Sequence, residues 1–87
     1  MISYKIMTEV KNMTTVLELL NKRFDSFTLT YGIGYWKGQA ESSLTIERID
    51  DDGAYEKVRE VAREIKRING QECVLLTRMK IDAVDWI

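Results

Sequence analysis

Apolar residues in this sequence change their spacing repeatedly, and the order of those changes restricts the fold more than any single motif does. Ile2, Tyr4, Ile6, Thr8 and Val10 alternate with Ser3, Lys5, Met7 and Glu9, the period of two that a half-buried strand requires. Met13, Val16, Leu17, Leu20 and Phe24 then fall on one helical stripe, with Asn12 placed as N-cap and Thr15-x-x-Glu18 at capping-box spacing. Alternation returns in Phe27, Leu29, Tyr31, Ile33 and Tyr35, and again around Leu44 and Ile46. Between these runs, Lys37-Gly38-Gln39-Ala40 reads as a turn in which Gly38 takes a positive φ. Asp50-Asp51-Asp52-Gly53 ends the second run and caps the next helix with acids. Tyr55, Val58, Val61, Ala62, Ile65 and Ile68 form that helix's apolar stripe, with Arg59, Glu60, Arg63, Glu64, Lys66 and Arg67 on its solvated side. Asn69-Gly70 stops it. Cys73 to Met79 is a last apolar strand, which Ile81 to Ile87 extends.

Strand, helix, strand, strand, helix, strand is therefore the predicted order. Each helix has a single apolar stripe, so both must cover one face of a four-stranded antiparallel sheet. Right-handed crossovers then give a ferredoxin-like α+β sandwich of βαββαβ topology. No linker or low-complexity stretch interrupts residues 1–87, so a single domain is expected, with 80–87 as a strand extension or an oligomerisation tail. That tail closes on Trp86 and Ile87, and apolar residues there imply docking, on the same subunit or across a dimer interface. Two edge strands also invite pairing. A homo-oligomer is the expected state.

Composition excludes several function classes. The 13 Lys and Arg against 14 Asp and Glu leave a formal charge of -1, without the basic excess that nucleic-acid modules usually carry. There is no His, hence no His-dependent triad and no imidazole ligand. One Cys gives neither a disulfide framework nor a Cys-based zinc site. Met1-Ile2-Ser3-Tyr4-Lys5 does not read as a secretory signal, and no apolar run of about 18 residues spans a membrane. These exclusions point to a cytoplasmic chain without metal or cofactor. Catalysis would have to run through carboxylates such as Glu41 and Glu47, with nothing to place a substrate between them, so the chain reads as a non-enzyme.

Function must then lie on the sheet face that the helices leave open, or on the hairpin. Alternation gives that face Ser3, Lys5 and Met7, then Thr28, Thr30, Gly32, Gly34 and Trp36, then Ser43, Thr45 and Glu47. For the last strand two sets compete. Val74, Leu76, Arg78 and Lys80 are assigned to the open face over Cys73, Leu75, Thr77 and Met79, because two cations are easier to hydrate there. Tyr35-Trp36-Lys37-Gly38-Gln39 is the most distinctive local feature: aromatics beside a cation, flanked by glycines. Trp36 could stack on a ring while Lys37, Arg78 and Lys80 take phosphate and Thr28, Thr30 or Gln39 supply hydrogen bonds. The same residues also suit an aromatic plug over the sheet end or an oligomer interface. Asp50 to Asp52 lack the spacing of a calcium loop, and Cys73 reads as a small apolar residue opening a buried strand.

Gly34, Trp36, Lys37 and Gly38, then Glu47, then Gln71, Glu72, Cys73 and Val74 carry a resemblance to small uncharacterised bacterial and phage proteins, over about residues 24–79. Their hairpin has a Gly-x-Trp-Lys-Gly turn and an acidic-ended strand. RNA-recognition motifs, acylphosphatases and regulatory amino-acid-binding domains share the topology, but their functional residues are not matched here. What the resemblance implies is a βαββαβ fold and, by analogy with phage inhibitors of host defence, sequestration of a small anionic, nucleotide-like ligand without turnover. The alternative is a protein-interaction inhibitor or adaptor, meeting a host protein through an edge strand or the aromatic turn.

Overall fold

The computed structural model describes residues 1–87. Its elements match the predicted order: β1 (Ile2–Glu9), α1 (Met13–Arg23), β2 (Thr28–Trp36), β3 (Gln39–Asp50), α2 (Tyr55–Asn69) and β4 (Leu75–Lys80), with a 3-10 turn at Asp52–Ala54 leading into α2. The strands make one antiparallel sheet in the order β2-β3-β1-β4. Two helices cover one face of it, which is the ferredoxin-like α+β arrangement.

The core shows why the periods alternate. Tyr4 and Ile6 of β1 and Leu44 and Ile46 of β3 point to the helices. Val16 and Leu20 of α1, with Phe24 just beyond it, and Val58, Val61, Ala62 and Ile65 of α2 close over them. Burying each larger side chain of this set contributes about 1.5–3 kcal/mol.

Both helix starts differ from expectation. Asn12 adopts a left-handed conformation, φ 52, and makes no side-chain cap. Its amide instead donates to the Ile68 carbonyl at 3.1 Å and to Asn69 Oδ1 at 3.2 Å, so it ties the start of α1 to the end of α2. The Thr15–Glu18 capping box is not formed, because Thr15 already lies inside the helix. The acids before α2 also make no side-chain cap. Asp50 is held by Arg48 at 2.8 Å, and the carbonyls of Asp51 and Asp52 accept the Tyr4 hydroxyl at 2.7 and 3.3 Å. The end of α2 is as expected. Gly70 takes φ 61, its N–H reaches the Arg67 carbonyl, and the Gln71 N–H reaches that of Lys66, which is a Schellman stop.

Register corrects the assignment of β4. Residues directly opposite in an antiparallel ladder share a face. Leu76 stands across from core residue Ile6, and Arg78 across from core residue Tyr4. Leu76, Arg78 and Lys80 therefore lie on the helix side, with Val74 packed against the core, and Leu75, Thr77 and Met79 lie on the open side. Cys73, ahead of the strand, lines a shallow cleft with Tyr55, Ala62 and Lys66 of α2. Hydration does not decide between the two faces, because Arg78 reaches the rim while staying on the helix side, its guanidinium stacked 4.1 Å from the Tyr55 ring centroid. Cys73 is also exposed rather than buried, and precedes β4 instead of opening it.

Candidate functional site

The hairpin of β2 and β3 is longer than the strand beside it. β1 pairs with β3 only from Asp50 to Ser43. Beyond that point, Ile33–Trp36 of β2 and Gln39–Ser42 of β3 have no third strand. One bond, from the Val10 N–H to the Ser42 carbonyl at 3.1 Å, supports the base of this ribbon. A two-residue turn closes it: Trp36 faces Gln39, and Lys37 and Gly38 both have positive φ, 50 and 78. That is the type I′ geometry whose twist matches a hairpin. The expected turn is thus confirmed at Gly38, while Gln39 and Ala40 already belong to β3.

The two faces of the ribbon differ. Tyr31, Ile33 and Tyr35 line the helix side: Tyr31 sits just below the ribbon, across from core residue Leu44, and Ile33 and Tyr35 stand on the ribbon itself, with 61%, 73% and 76% of their surface exposed. Trp36 points to the open side and is 49% exposed, so it does not plug the core. Beside it, the Lys37 ammonium lies 5.7 Å from the ring centroid and 3.9 Å from Glu72 of the loop before β4. Both partners of that ion pair are well exposed, so it adds little stability. An isolated two-stranded ribbon is marginal in water. This one carries three exposed apolar side chains, Ile33, Tyr35 and Trp36, and β2 has no charge from Thr28 to Trp36.

Of the residues expected to bind a ligand, the structure gathers Trp36, Lys37 and Gln39 at the ribbon tip. Thr30 and Thr28 share the open side with Trp36, but six and eight residues down β2 they lie about 20 and 27 Å away. Arg78 and Lys80 are on the other side of the sheet, on the opposite edge strand, and Lys80 pairs with Ile2 at the far end from the tip. A phosphate held by Lys37 does not meet either of them in one protomer. The open face is also less polar than expected, since Leu75 and Met79 project from it at 54% and 64% exposure.

Sequence reasoning did not single out Arg48. Its guanidinium, largely enclosed, donates to Asp25 at 2.7 Å, to the Ser26 carbonyl and hydroxyl at 2.9 and 2.8 Å, and to Asp50 at 2.8 Å. It clamps the α1–β2 connection to the end of β3. Nor did it find the polar knot of Thr8, Asn12, Asn69 and Gln71, in which the Thr8 hydroxyl donates to Gln71 and the buried Asn69 amide donates to both. The Gln71 amide continues to the Cys73 carbonyl. This knot fixes the loop bearing Glu72, the one side-chain tether of the ribbon tip.

No family model matches the chain, and no curated protein matches it. Solved structures do. CutA1 from Pyrococcus horikoshii superposes with a TM-score of 0.71 at 16% identity, over 98% of this chain and 87% of that one. A DUF3240 family protein from Shewanella baltica OS155 superposes with a TM-score of 0.75 at 8% identity, over 99% of this chain and 94% of that one. At such identities the likeness concerns the backbone: this chain has the small ferredoxin-like fold that both of those proteins share.

Proposed function

We propose that this chain is a non-catalytic binding or adaptor module, that it works as a homo-oligomer, and that it captures another protein with the tip of its hairpin ribbon. The observation that carries this reading is the ribbon itself: the end of an uncharged strand with exposed Ile33, Tyr35 and Trp36 held clear of the body of the domain, and exposed Tyr31 at its foot. Trp36, Lys37 and Gln39 form the capture tip, an aromatic ring flanked by one cation and one amide, a composition suited to the centre of a protein interface. The opposite row, Tyr31, Ile33 and Tyr35, is left for contact between copies. Sequestration of a nucleotide-like anion, as an anti-defence protein would perform it, needs Arg78 and Lys80 beside Lys37, and the sheet separates them.

Native mass spectrometry of the chain purified from its source tests the reading. The expected spectrum holds an integral multiple of 10.2 kDa plus a second polypeptide. With Trp36→Ala the second polypeptide is lost and the multiple is kept. A bare 10.2 kDa species overturns the oligomer, and a retained small molecule in place of a polypeptide overturns the adaptor role.

A further inference from the structure

We propose that the C-terminal segment Ile81–Ile87 of one copy lies along the free edge of β2 in another, with Trp86 and Ile87 seated against Tyr31, Ile33 and Tyr35. This rests on the homo-oligomer reading above and names the surfaces it uses.

The segment has little to hold it in its own protomer. Its one backbone hydrogen bond runs from the Ile81 N–H to the Met1 carbonyl at 2.9 Å. Asp82 and Asp85 join no ion pair, and Trp86 is 74% exposed. It does not extend β4 as the sequence led one to expect: the strand ends at Lys80, which already pairs with the first residue of β1, Ile2, so no neighbouring strand remains for residues 81–87 to pair with.

The β2 edge has the complementary deficit. β2 pairs with β3 alone, so its outer N–H and C=O groups are unpaired over nine residues. Natural edge strands usually carry a Lys, a Pro or a bulge that discourages addition. Thr28–Trp36 contains no charged residue and no Pro. The incoming segment carries acids only, and the one cation at the end of this edge is Lys37, so no like charges meet.

Reach identifies the occupant as a second copy. The segment leaves the sheet beside Ile2 and Asp50, whereas Ile33 pairs with Ser42, eight residues up β3. That is about 27 Å along the strands and about 14 Å across them, roughly 30 Å in all. Seven extended residues span at most about 25 Å, and would first have to reverse direction. Residues 81–87 of a protomer therefore cannot cover its own ribbon. A neighbour's tail can, adding as a strand while its side chains cover the aromatic row.

Light scattering on the eluting protein, with far-UV circular dichroism, tests this on the full chain and on Trp86→Ala/Ile87→Ala. The expected result is a multimer for the first and 10.2 kDa for the second, with unchanged dichroism. Multimers of equal mass overturn the tail contact while leaving the oligomer standing; a monomeric full chain overturns both. A second readout does not depend on the variant's stability. In a Cys73→Ser background, Ile33→Cys chains are mixed with Trp86→Cys chains under mild oxidation. A disulfide formed only in the mixture supports the contact, and one formed equally by Ile33→Cys alone indicates pairing of β2 with β2 and overturns it.

Discussion

Arg78 stands directly across the β1–β4 ladder from Tyr4, and that relationship puts its charge on the helix side of the sheet. There it lies over the Tyr55 ring, 4.1 Å from the centroid, with Asp52 at 3.9 Å. Its role is to seal the rim of the core rather than to offer a cation to the open face. Arg78→Ala is expected to lower the free energy of unfolding by about 1 kcal/mol through the lost stacking and covered area. Lys80→Ala, which has no such contact, should fall within about 0.5 kcal/mol of the parent. Urea denaturation of both variants reads the difference.

Arg48 carries a larger share of the stability. Removing its guanidinium leaves Asp50, partly enclosed, without its cation, and frees the α1–β2 connection at Asp25 and Ser26. Arg48→Met should cost about 2 kcal/mol. It should also change the acid limb of the stability profile. Burial pushes the Asp50 carboxyl up, but the Asp51 N–H and the Arg48 guanidinium outweigh it and hold that group below its ordinary value. A carboxyl lowered in the folded state stabilises fully above its unfolded value near about 4, and loses that contribution as pH falls through the folded one. The loss on acidification should therefore be smaller in Arg48→Met, as melting temperatures between neutral and strongly acidic pH will show.

Glu41 gives the opposite sign. At the base of the ribbon its carboxyl shares a hydrogen bond with that of Glu9, and this bond, with some desolvation and the Glu9 charge, holds it above the ordinary glutamate range. A raised carboxyl stabilises below its unfolded value, near about 4.3, and that contribution is lost as pH rises through the folded value. The bond is an asset in acid and a repulsion at neutrality. Glu41→Gln should raise the melting temperature at neutral pH and converge on the parent in acid. Parallel curves across that range would show that the pair has no part in the stability.

The architecture is legible in the sequence because each of its causes is local and periodic. The stripe of Val58, Val61, Ala62 and Ile65 has no other use than a core, and Gly70 and Gly38 take the positive φ that the stop and the turn require. Faces are harder to assign where both alternate sets are mixed. In β4, Leu75 and Met79 look as buriable as Val74 and Leu76, and only the register against Ile6 decides between them. Asn12 reads as a cap because its partner at the end of α2 lies 56 residues away. The hairpin's residues are visible in the sequence, but its overhang is not. How far a ribbon outruns its neighbour depends on where β1 stops against β3, a non-local quantity that no spacing within β2 encodes. Arg78 and Lys80 fail to gather with Lys37 for another non-local reason, the strand order and the register of β4 on β1.

The turn that closes the ribbon has a residue that local energetics disfavours. Lys37 holds φ 50 at the first of two left-handed positions, where a side chain with a Cβ costs about 1 kcal/mol and Asn is the preferred occupant before Gly. Strain of this kind is tolerated where the side chain has a use, and the Lys37 ammonium beside the Trp36 ring supplies one. Lys37→Asn should therefore tighten the ribbon and weaken capture. Amide exchange at residues 39 to 42 should slow by a factor of about 2 to 5, the equivalent of about 0.5–1 kcal/mol. The second polypeptide in the native mass spectrum should decline at the same time, with the number of copies unchanged. Slower exchange with undiminished capture would make Lys37 a tolerated accident of the turn and leave Trp36 and Gln39 as the working tip.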